Sequence, residues 1–123
     1  MSIPPNSTGR GLRTLSFEVM PPRRPHLAPK FWGTVDTLLE TEPDFISITY
    51  GAAGQDRSSA RAVVRKIVRD TPVQPIAHLT CVGASRAEVA SVITDYLDSG
   101  VRTFLALRGD PPVAGAKFTP RAD

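Results

Sequence analysis

Short β-rich runs recur along the chain at residues 14–20, 44–50, 73–80 and 101–107, and longer stretches with helical apolar spacing lie between them. The first stretch predicts a helix over residues 29–41, with Phe31, Val35, Leu38 and Leu39 on one face and Pro43 closing it. The second covers residues 57–70 and turns Ala60, Val63, Val64, Ile67 and Val68 inward. The third starts at Ser85, where Ser85 and Glu88 form an S-x-x-E capping box. Val89, Val92, Ile93, Tyr96 and Leu97 make its buried stripe, and Gly100 stops it. The order is β-α-β-α-β-α-β with strand starts about 29 residues apart, which argues for parallel strands joined by crossover helices.

Two α/β architectures fit that order: an open doubly wound sheet, or a (β/α)8 TIM barrel. A whole barrel takes about 250 residues, so residues 14–123 would supply its first four βα units, behind a flexible lead-in at residues 1–13. Side-chain alternation chooses between them. Leu15, Phe17 and Val19 oppose Ser16 and Glu18; Ile46 and Ile48 oppose Ser47 and Thr49. Ala77 and Leu79 oppose Ile76, His78 and Thr80, and Leu105 and Leu107 oppose Ala106 and Arg108. Each strand is therefore expected to pack one apolar face under helices. Its other face is small or polar and gains ionisable groups towards the C-terminal end. A barrel with a ligand site at its mouth has that gradient, whereas an open parallel sheet is apolar on both faces.

Composition narrows the setting. Hydrophobic residues make up 41% and charged residues 22% of 123 positions, which suits one globular domain or part of a larger one. The longest apolar run, 104–107, is too short for a membrane span or a secretory signal, and Arg23-Arg24 is followed by Pro25-His26 rather than an apolar segment. The lone Cys81 forbids an intramolecular disulfide and suits a reducing compartment. A cytoplasmic protein is expected. The net charge of +3 is concentrated in a Pro-rich start that holds six of the twelve prolines, so the body is nearly balanced. Arg57, Arg61, Arg65 and Arg69 recur at i+4, which reads as a solvated helix face rather than a nucleic-acid contact.

Glu18, Thr49, His78, Arg108 and Asp110 then gather at one end of the sheet from four strand ends. A carboxylate turned inward in a β-rich run costs several kcal/mol unless it is paired or protonated, which marks Glu18 as functional. His78 is equally a core histidine or a site residue, and with Cys81 alone it makes no metal site. In Arg108-Gly109-Asp110-Pro111-Pro112 the glycine permits a tight turn that brings both charges near a ligand; the bland reading is an internal Arg–Asp pair. Tyr50-Gly51-Ala52-Ala53-Gly54 is a small-residue loop that admits a flat or phosphorylated ligand, without a Rossmann or P-loop motif.

These segments together resemble the catalytic domain of the 5,10-methylenetetrahydrofolate reductase family. The match is carried by Ser16-Phe17-Glu18 with Pro21-Pro22-Arg23, by Ser47-Ile48-Thr49-Tyr50-Gly51-Ala52, by Ala77-His78-Leu79-Thr80-Cys81, and by Leu105-Ala106-Leu107-Arg108-Gly109-Asp110-Pro111-Pro112. Val19-Met20 departs from it, since many members carry aromatic residues there. The family's domain is a complete flavin-binding barrel, so the chain reads as its N-terminal half, breaking off in a loop at residues 119–123.

The resemblance implies reduction of 5,10-methylenetetrahydrofolate to 5-methyltetrahydrofolate, with FAD as cofactor and NADH or NADPH as hydride donor. It makes Glu18 the general acid, a carboxyl whose desolvation at the barrel mouth keeps a proton for the folate. Thr49, Tyr50, Ala52, His78, Arg108, Gly109 and Asp110 match FAD-lining positions, and Asp110 also a substrate-binding one. A homo-oligomer is implied for the full-length form. Two other readings stay open: a non-catalytic half-barrel that binds folate or a partner chain, and a different barrel enzyme for phosphorylated ligands.

Overall fold

In the computed structural model of the chain, residues 13–49, 57–110, 115, 117 and 119 are described. The lead-in before Arg13, the loop carrying Tyr50 and Ala52, and Pro111-Pro112 lie outside them. Strand β1 (Ser16–Val19) is followed by a short 3-10 turn at Pro25–Leu27 and helix α1 (Ala28–Leu39). Then come β2 (Phe45–Ile48), α2 (Ser58–Asp70), β3 (Gln74–Thr80), α3 (Arg86–Asp98) and β4 (Thr103–Leu107). The strands are shorter than the β-rich runs that predict them, and the helices begin and end within about two residues of expectation.

The sheet runs β1-β2-β3-β4, and every pairing is parallel. Strand order never reverses, so this sheet has no switch point of the kind that defines a doubly wound fold. One apolar cluster joins Val19, Ile46, Ile48 and Ala77 of the sheet to Val35 of α1, four residues of α2 and Tyr96 of α3. All three helices therefore cover the same sheet face.

Helix α2 follows its pattern closely: Ala60, Val63, Val64 and Ile67 are buried, and Val68 packs at the edge of the cluster. In α3 only Tyr96 of the expected stripe is buried, while Val92 packs against the core and Leu97 is exposed. The correction at Leu97 follows from α3 meeting the sheet along a narrow line, where Tyr96 stacks edge-on against Phe104 at 6.1 Å. Past that helix, Gly100 adopts φ 99° and the Val101 N–H reaches back to the Tyr96 carbonyl at 3.0 Å, a left-handed stop open to glycine.

At its start, α3 carries the expected capping box. The Ser85 hydroxyl accepts from the Glu88 N–H at 3.2 Å, and the Glu88 carboxylate accepts from the Ser85 N–H at 2.6 Å. Ser85→Ala removes one of these bonds and is expected to lower stability by about 1 kcal/mol. A urea melt with an unchanged midpoint would contradict that.

The arginine row of α2 has a structural use. Arg65 donates to both carboxylate oxygens of Asp95 on α3 at 2.6 Å, and Arg61 lies 3.8 Å from the same carboxylate. Lys66 stands over the Trp32 ring of α1 at 5.1 Å. The row thus ties α2 to α3, and Lys66 beside it ties α2 to α1; exposed ion pairs of this kind contribute roughly 0.2–1 kcal/mol each. Hydrogen bonds from Arg69 and Lys66 hold the Asp70 carboxyl well below the ordinary carboxylate range.

Strand β4 keeps the expected alternation but turns it the opposite way. Leu105 pairs with His78 and Leu107 with Thr80, so both leucines share the polar face and are 43% and 41% exposed. Phe104 instead pairs with Ala77 and packs under the helices. In the unbroken apolar run Phe104-Leu105-Ala106-Leu107 either parity buries apolar area, and the larger ring of Phe104 takes the core.

Candidate functional site

The uncovered sheet face collects Glu18, Ser47, Ile76 and His78, because β1, β2 and β3 pair with Glu18 opposite Ser47 and Ser47 opposite Ile76. His78 lies two residues further along β3, nearer the C-terminal end. It is 6% exposed and is the single polar residue buried among those described. Its Nε2 stands 2.5 Å from the Ser47 Oγ and 3.5 Å from the Glu18 Oε1. Three strands thus place a carboxylate, a hydroxyl and an imidazole in one cluster.

Glu18 is not desolvated as expected: its side chain is 61% exposed. Its strand is the edge of the sheet and no helix covers this face. Glu18 is also among the residues lining a cleft of about 500 Å³, whose wall includes Met20, Leu27 and Phe31 together with Arg23 and Lys30. The loop after β1 is held at Pro22, whose carbonyl accepts from the Ser59 hydroxyl of α2 at 3.2 Å.

Thr49 follows β2 directly, and its N–H donates to the Val19 carbonyl at 3.1 Å, which continues the β1–β2 ladder. Tyr50 and Ala52 fall outside the described residues. Gly109 and the exposed Asp110 come just after β4, at the same end of the sheet as His78. Arg108 is exposed, and continued alternation sets it with Phe104 and Ala106 rather than with Leu105, a further consequence of the reversed parity in β4.

Gly109 is there for a physical reason. Its φ is 84°, and a Cβ would stand 2.6 Å from the Val82 Cγ1 and 3.1 Å from the Thr80 Cβ. The chain after β4 therefore runs against the end of β3. Val82 is fixed from the other side, where its carbonyl accepts from Arg57 at 3.0 Å. Nearby, the buried Thr80 hydroxyl has no hydrogen-bond partner among the described residues. A buried hydroxyl without a partner suits a ligand that brings an acceptor atom, as a flavin does. The residues present therefore fit the cofactor that the sequence resemblance implies.

Ser47 is the residue that sequence reasoning missed as a participant. It was legible as small, polar and inward, but its contact with His78 spans 31 positions and depends on strand register.

Residues 6–123 match the family model described as methylenetetrahydrofolate reductase. Over 108 residues the chain is 37% identical to the 5,10-methylenetetrahydrofolate reductase of Pectobacterium carotovorum subsp. carotovorum, a span of 88% of this chain and 36% of that protein. The protein of the same name from Salmonella typhimurium is 36% identical and that from Escherichia coli 34%, with the same coverage. The matched region spans about a third of the length of these relatives.

Proposed function

Because the chain belongs to the methylenetetrahydrofolate reductase family, we propose that it carries the proton-donating half of a flavin-dependent site that reduces 5,10-methylenetetrahydrofolate to 5-methyltetrahydrofolate. The observation that carries this reading is the convergence of Glu18, Ser47 and His78 at the C-terminal side of one parallel sheet face. Sequential strand order and helices confined to the other face support a (β/α)8 barrel whose first four βα units lie here. We take the protein to be cytoplasmic and, in its full-length form, a homo-oligomer.

When bound, FAD would take a hydride from NADH or NADPH and supply it to the one-carbon unit of the folate. Thr49, Tyr50, Ala52, His78 and Gly109 would line it, and Arg108 would face its negative charge. Opening the folate's five-membered ring leaves an electron pair on the departing nitrogen, and Glu18 gives that nitrogen its proton. Asp110 accepts hydrogen bonds from pterin N–H groups and orients the substrate. Its negative charge would also tune a flavin held beside it towards hydride donation.

Gel filtration of the purified chain with added FAD tests the cofactor directly. Flavin is expected to co-elute with the protein, and its visible bands to bleach anaerobically with NADH or NADPH. Folded protein that elutes free of flavin would contradict cofactor binding by this chain.

A further inference from the structure

We propose that Ser47 is a positioning residue for Glu18, acting through His78: the Ser47 hydroxyl fixes the imidazole so that Nε2 faces the Glu18 carboxyl. The inference deepens the proton-donor reading given above and rests on it for its catalytic consequence.

His78 is nearly enclosed, and the Nε2 nitrogen has two oxygen neighbours, Ser47 Oγ at 2.5 Å and Glu18 Oε1 at 3.5 Å. A ring nitrogen that carries a hydrogen donates, and one that lacks it accepts. A hydroxyl serves either case, since it can accept from an Nε2–H or donate to a bare Nε2. A carboxylate only accepts. Ser47 is therefore the group that keeps Nε2 satisfied whichever proton state Glu18 holds, and it does so without moving the ring.

Across the same face β1 contributes Glu18, β2 contributes Ser47, and β4 sets Leu105 directly beside His78. Arg108 and Asp110 follow the end of β4, and the Glu18 carboxylate lies 3.5 Å from His78 Nε2. The strand partners also explain why a serine suits this place. Ser47 stands opposite Glu18 on one side and Ile76 on the other, one step below His78 on the shared face. A short side chain reaches Nε2 from there and leaves the carboxyl its own approach.

The test is NMR of the chain labelled at histidine ring nitrogens and glutamate carboxyl carbons, at one fixed pH. Ser47→Ala should shift the His78 Nε2 signal and the Glu18 carboxyl signal, and Ser47→Thr, which restores a hydroxyl, should return both. Unchanged His78 and Glu18 signals in Ser47→Ala would overturn the proposal. If that variant does not fold, Ser47→Cys decides, with a weak S–H donor in place of the hydroxyl: the Nε2 signal is expected to move while methyl signals stay in place, and an unmoved Nε2 signal would overturn it.

In the flavin-loaded protein Ser47→Ala should then lower kcat for folate reduction by up to about 10²-fold, with little change in KM for the nicotinamide donor. Folate inert with wild type, but NMR responses as expected, would sink the reductase reading and leave the positioning contact standing. Active wild type with an unchanged kcat in Ser47→Ala would do the reverse.

Discussion

Glu18→Gln is expected to lower folate-reducing turnover by about 10²–10⁴-fold, the usual contribution of a positioned general acid. Glutamine keeps the length of the side chain and an oxygen for His78 Nε2 at 3.5 Å, so the cluster persists. It has no acidic proton to give to a departing nitrogen. The exposure of Glu18 on an uncovered face makes a folding defect from this exchange small, since exposed substitutions usually change stability by less than about 0.5 kcal/mol. Flavin reduction by NADH or NADPH moves a hydride without that proton and should continue at the wild-type rate. Stopped-flow comparison of the two half-reactions separates the outcomes. Equal loss in both would mean that Glu18 holds the cofactor site together rather than protonating the folate.

Gly109→Val should have the largest structural effect of any single exchange at the site. A φ of 84° is open to glycine and strained for a β-branched residue, at about 1–2 kcal/mol. The added carbon would also meet the Val82 Cγ1 at 2.6 Å, and overpacking of this kind costs about 1–3 kcal/mol. Val82 cannot retreat freely, because Arg57 holds its carbonyl. Relief must come from the chain after β4, which carries Asp110. A loss of about 2–5 kcal/mol in denaturant melts is therefore expected, together with weakened flavin binding. A variant as stable as wild type that still retains flavin would show that the turn is not held against β3.

The helices and the strand order could be read from the sequence because each rests on local chemistry. The stripe of α2, the capping box at Ser85 and the stop at Gly100 depend on residues a few positions apart. What depends on distant neighbours could not be read. The face of β4 was set by Phe104 finding Tyr96, and four consecutive apolar residues carry no alternation that would have shown it. The arginine row of α2 looked like a solvated face because its partner Asp95 lies 30 positions away from Arg65. In the site, the residue types were legible at Glu18 and His78, whereas Ser47 entered only through parallel register. Exposure of Glu18 was illegible for a related reason: inward direction on a strand says nothing of what covers the face.

The most direct measurement is an anaerobic single turnover with flavin already reduced by NADH or NADPH, followed after addition of 5,10-methylenetetrahydrofolate. Return of the oxidised flavin bands, with 5-methyltetrahydrofolate formed in equal amount, is the predicted result. A bound, reduced flavin that stays reduced in the presence of the folate would contradict the assignment of the Glu18 cluster to folate reduction.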